Sequence, residues 1–107
     1  GEAPMNDVYH QEVEKWARQQ RDHMHDRLDD FNHPTARMLY KNMQEVEDLA
    51  QQGHNFRTIH DKLQASQRIL DQARHSNDHF MNPEHIMEMH HTLEQKKIEM
   101  RKHPHFN

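Results

Sequence analysis

PTARMLYKNMQEVEDLAQQG, Pro34 to Gly53, decides the fold class. Ala36, Leu39, Met43, Val46 and Ala50 stand alternately three and four residues apart, and most positions between them are polar, so one apolar seam runs along one side of a helix. Both ends are marked. Pro34 suits the first helical position, where the missing N–H would have no partner anyway, and Asn32-His33 before it supplies cap candidates. Gly53 follows the last seam residue, as expected of a left-handed helix stop. A helix over about 34–52 follows.

The same rhythm continues outward from this stretch. Phe56, Ile59, Leu63, Ser66, Leu70 and Ala73 define a helix over about 55–76, with Asn55 or Thr58 as its cap. Asn82 and Pro83 open another over about 83–102, its inner face formed by Ile86, Met89, Leu93 and Met100, and it stops before Pro104. Upstream, Tyr9, Val13, Trp16, Ala17, Met24, Leu28 and Phe31 form one stripe over about 5–31, with Gln20 as a polar interruption. Four helices of similar length joined by short connections imply antiparallel neighbours. The expected architecture is an all-α, up-down four-helix bundle forming a single domain over 1–107, and its alternative is two helical hairpins that pack as a dimer. Phe31-Asn-His-Pro34-x-x-x-Met38 recurs 49 residues later as Phe80-Met-Asn-Pro83-x-x-x-Met87, which suits two similar hairpins, each turning on an aromatic residue and a proline.

Composition limits the chemistry. Leu, Ile, Val and Phe together number only seventeen of 107 residues, so burial against a second copy or a protein partner is expected to supplement a small core. Formal charge is −4 with no Lys/Arg cluster, which gives no electrostatic footprint for nucleic acid. Cysteine is absent, so thiol catalysis, disulfides and cysteine-held zinc or iron–sulfur clusters are excluded. No apolar run reaches the roughly 18 residues of a membrane span. The start at Gly1 points to a processed chain, with Glu2-Ala3-Pro4 expected to open an exported, periplasmic-type protein rather than to precede a native start at Met5. Two glycines cannot build a phosphate-cradling loop, and no Ser, Thr or Tyr stands in a nucleophile motif, so no enzymatic activity is expected.

Two functional expectations remain. The first is a non-enzymatic bundle that acts through protein–protein contact or self-association, with Ile69, Met87 and Ile98 as candidate interaction residues because they broaden the apolar stripes of the third and fourth helices. The second is a histidine- and methionine-rich protein that binds a divalent transition metal such as zinc, nickel or copper, through His75 and His79, one helical turn apart, with His85 nearby. Glu88-x-x-His91 has the spacing of a bundle metal site, but the wheel turns both residues outward; His90 alone of that group reads as inward, while His10 falls on a flank and His25 faces solvent. Thirteen histidines can carry the formal charge from −4 towards +9 on acidification, so stability or assembly is expected to depend on pH.

Overall fold

A computed structural model describes residues 8–76 and 80–106. It is an all-α four-helix bundle, with α1 over Val8–Arg27, α2 over Pro34–Gln51, α3 over Phe56–His75 and α4 over Pro83–Arg101. α1 packs on α2, α2 on α3 and α3 on α4, within an envelope of 43 × 21 × 20 Å. The start of α1 meets the start of α3 and the tail beyond α4, where Tyr9 packs edge-on against Phe56 and stacks on His103. At the opposite end, Leu28 pairs with Met81 in an isolated antiparallel bridge. Among the described residues, no helix is long and apolar enough to cross a membrane.

Every seam residue expected on α2, α3 and α4 is buried. The caps explain where those helices begin. The Asn55 and Asn82 side chains accept the backbone N–H of Thr58 at 2.9 Å and of Glu84 at 2.8 Å, while the ring of His33 performs the same task, its Nδ1 accepting from Thr35 N at 3.1 Å. Gly53 has φ 71°, and its N–H and that of His54 bond back to the Ala50 and Leu49 carbonyls, closing the end of α2 in the left-handed manner.

α1 differs from expectation at its C-terminus. The helix stops at Arg27, four residues before Phe31. Two adjacent acids, Asp29 and Asp30, oppose the negative end of the helix dipole. The backbone finds other partners: Asp29 N–H donates to the Phe80 carbonyl at 2.9 Å, and the Asp30 carboxylate accepts Asn32 N–H at 3.0 Å. The repeated junction therefore diverges at its aromatic. Phe80 is fully buried, whereas Phe31 is 45% exposed. Residues 5–7, expected to begin the helix, lie outside the described residues.

α1 also rotates its inner face slightly from the expected stripe. Val13, Ala17 and Met24 are buried, but Tyr9, Trp16 and Leu28 are only partly so, and His10 takes a fully interior place at 1% exposure. Its ring stacks on Phe56 with centroids 4.2 Å apart, and Nε2–H donates to the His54 carbonyl at 2.7 Å. That bond satisfies the imidazole, which is why a polar ring is tolerated in the core rather than held on the flank the wheel gives it.

Candidate functional site

Polar groups, not only apolar ones, join α3 to α4. Lys97 is 7% exposed, and its ammonium donates to Gln67 Oε1 at 2.6 Å and to Glu94 Oε1 at 3.4 Å. Gln67 in turn donates to Glu94 at 3.0 Å and to the His90 carbonyl at 3.3 Å. The bond from Gln67, aided by Lys97, holds the Glu94 carboxyl below the usual carboxylate range against the opposing effect of burial. Further along the seam, Arg101 donates to His60 Nε2 at 2.9 Å, which leaves the His60 hydrogen on Nδ1, facing Asp61 Oδ1 at 3.3 Å. His90 is half-buried and pairs with Asp71 at 3.3 Å, so it edges the seam instead of entering the core. These groups fix the register of two helices.

On the other side of α4, towards α1, contact is looser. Lys96 lies over the Trp16 ring, 5.3 Å from its centroid, and pairs with Glu99 at 3.1 Å. The Tyr9 hydroxyl is buried beside Glu99 without meeting strict hydrogen-bond geometry. Burial first, then the Glu99 carboxylate, push this phenol well above its ordinary value. Burial alone would raise Glu99 as well, but the Tyr9 hydroxyl and the Lys96 ammonium outweigh it and leave the carboxyl lowered. Beyond this point the helices part, leaving a groove of about 390 Å³ with Met24, Met81 and Met89 among its apolar lining and His23, His85, Glu88 and His91 among its polar lining. His85 Nδ1 is buried with no hydrogen-bond partner among the described residues.

A second groove, of about 340 Å³, opens where α1 turns into α2. Leu28, Ala36 and Tyr40 line it together with Phe31 and His25, whose rings meet edge to face at 4.5 Å, and with Arg37 and Lys41. The groove lies where α1 has already stopped at Arg27, four residues before Phe31. A smaller groove between α2 and α3 holds Met38, 53% exposed, beside Ile69.

Sequence-expected residues are spread over these features. Ile69 packs against the core from α3 and lines the groove between α2 and α3, while on α4 Met87 is 55% exposed and Ile98 half-buried. His75 is exposed in the last turn of α3, His85 lines the α1–α4 groove, and His79 lies outside the described residues. Glu88 and His91 are exposed, as the wheel implies, yet they line the α1–α4 groove because the helices splay there. Among the described residues, no group of three or more His, Cys, Asp or Glu is gathered to hold a metal ion. Arg37, Met38 and Lys41 are exposed because they fall between the buried seam positions of α2, and Phe31 is exposed because α1 stops before it.

The fold and its surface grooves define the chain as a four-helix bundle with one tightly bonded polar seam and one parted seam. Comparison with protein-family profiles, with curated proteins and with solved structures finds no match to it.

Proposed function

We propose that this bundle is a non-enzymatic protein that acts through protein–protein contact, self-association included. The observation that carries the reading is Phe31, an aromatic ring left 45% exposed at the edge of the α1–α2 groove. Fully burying an exposed phenylalanine is worth about 1.5–3 kcal/mol, so covering the part of Phe31 still exposed contributes about 1 kcal/mol, and aromatic rings at concave sites are favoured contact anchors. Ser66 is buried, donates to the Lys62 carbonyl and accepts from Asn42, a structural role. A dilution series of amide NMR spectra tests the reading. Resonances of Phe31, Tyr40 and their neighbours are expected to move with concentration and to stop moving in Phe31→Ser; concentration-independent spectra would contradict self-association through this groove.

A second reading, transition-metal binding, rests on the imidazoles and thioethers that line the α1–α4 groove, although no three histidine or acidic side chains among the described residues are gathered as a ligand set. That donor set suits copper above zinc or nickel, since thioether sulfur is a soft ligand. Calorimetric titration with each metal, on the native chain and on His85→Ala and His75→Ala/His79→Ala variants, tests it. Stoichiometric, submicromolar binding lost on substitution supports metal binding; weak binding at many sites, unchanged by substitution, contradicts it.

A further inference from the structure

We infer that the α1–α2 groove docks a short acidic peptide segment carrying an aromatic or aliphatic anchor residue. The inference rests on the protein-contact reading and adds the chemistry of the partner. Leu28, Ala36 and Tyr40 give the groove apolar surface, Phe31 and His25 form an aromatic side, and Arg37, Lys41 and Gln44 supply polar ends. Arg37 and Lys41 are four residues apart on α2, both exposed, and neither has an ion-pair partner among the described residues. Like charges at that spacing repel, so the pair is mildly unfavourable until an anion sits between them.

The other charges around the groove do not answer this pair. Arg21, whose guanidinium lies 5.9 Å from the Tyr40 ring centroid, is paired with Glu47 at 3.3 Å. Asp30 is turned to Asn32 N–H at 3.0 Å, and Asp29 sits in the turn that bonds to Phe80. In a chain of net charge −4, a local pair of unanswered cations beside exposed apolar surface is complementary to carboxylates flanking an anchor. The aliphatic Leu28 and Ala36 suit a side chain better than a stack of bases.

The test titrates the isotope-labelled chain with a capped peptide holding Phe-Leu between two pairs of Glu, followed by amide NMR. The expected result is saturable movement of Phe31, Arg37, Tyr40 and Lys41 resonances, weakened at high salt and absent for the peptide with Lys in place of Glu. R37E/K41E is expected to weaken binding by about tenfold or more while leaving the thermal midpoint near that of the native chain, and R37K/K41R is expected to retain it. Absence of movement, movement mapped elsewhere, or equal binding of the Lys peptide would overturn the inference. So would a single-stranded oligonucleotide that moves these resonances when the peptide does not. If the peptide fails while the dilution shifts persist, contact function stands without this partner; if both fail, the contact reading falls as well.

Discussion

Replacing Gln67 with leucine isolates the polar seam between α3 and α4. Gln67 is buried, accepts the Lys97 ammonium at 2.6 Å, and donates to Glu94 and to the His90 carbonyl. In Gln67→Leu the Lys97 ammonium keeps only Glu94 at 3.4 Å while remaining in a nearly closed site. A buried charge deprived of a partner costs about 1–3 kcal/mol, which for a domain near 100 residues lowers the thermal midpoint by roughly 5–20 °C. Lys97→Met leaves the Gln67 carbonyl oxygen without its ammonium, and a loss of about 1–2 kcal/mol is expected. The double variant removes both needs and lets leucine pack on methionine, so it should be no less stable than the weaker single variant, with a coupling of about 1–3 kcal/mol. Denaturant unfolding followed by helical circular dichroism measures all four chains. Additive losses in the double variant would refute the reasoning, because they would mean that Gln67 and Lys97 act independently.

Three further outcomes follow from the same structure. His10→Ala removes the ring stacked on Phe56 and its bond to the His54 carbonyl, and a loss of about 2–4 kcal/mol in unfolding free energy is expected, far above that for an exposed histidine such as His91. Gly53→Ala forces a Cβ into φ 71° and is expected to cost about 1–2 kcal/mol by denaturant midpoint, with helix content nearly unchanged. Glu94 and Glu99 have folded-state values below their unfolded ones, so their stabilisation is complete above the ordinary carboxylate range and is lost as pH falls through the folded values. Urea midpoints are therefore expected to drop between about pH 5 and about pH 3, and to drop less in Glu94→Gln, where the neutral amide has no such charge to lose.

What could be read from the chain alone depended on where a residue's partner lies. The seams of α2, α3 and α4, Gly53 and the Asn82-Pro83 start were legible because periodicity, backbone conformation and capping are local properties. The end of α1 was not. Phe31 continues the stripe on a wheel, but Asp29 and Asp30 draw the backbone away towards Phe80, a partner about fifty residues distant in sequence. The burial of His10, Gln67 and Lys97 was hidden for a related reason: each is satisfied from across the bundle, by His54 for His10 and by one another for Gln67 and Lys97. Among the surface candidates, Ile69 proves partly buried against the core, Ile98 half-buried and Met87 exposed, differences that wheel position does not supply. His85 was singled out beside His75, and the fold seats it in a groove with α1 residues that sequence proximity could not supply.

Sedimentation velocity over a wide concentration range, on the native chain and on Phe31→Ser, tests most directly whether the bundle works through contact at the α1–α2 groove. The account predicts a sedimentation coefficient that rises with concentration for the native chain and stays at the monomer value for the variant. A native chain that remains monomeric throughout and also leaves the Glu-flanked peptide unbound, or a variant that associates as strongly as the native chain, would contradict it.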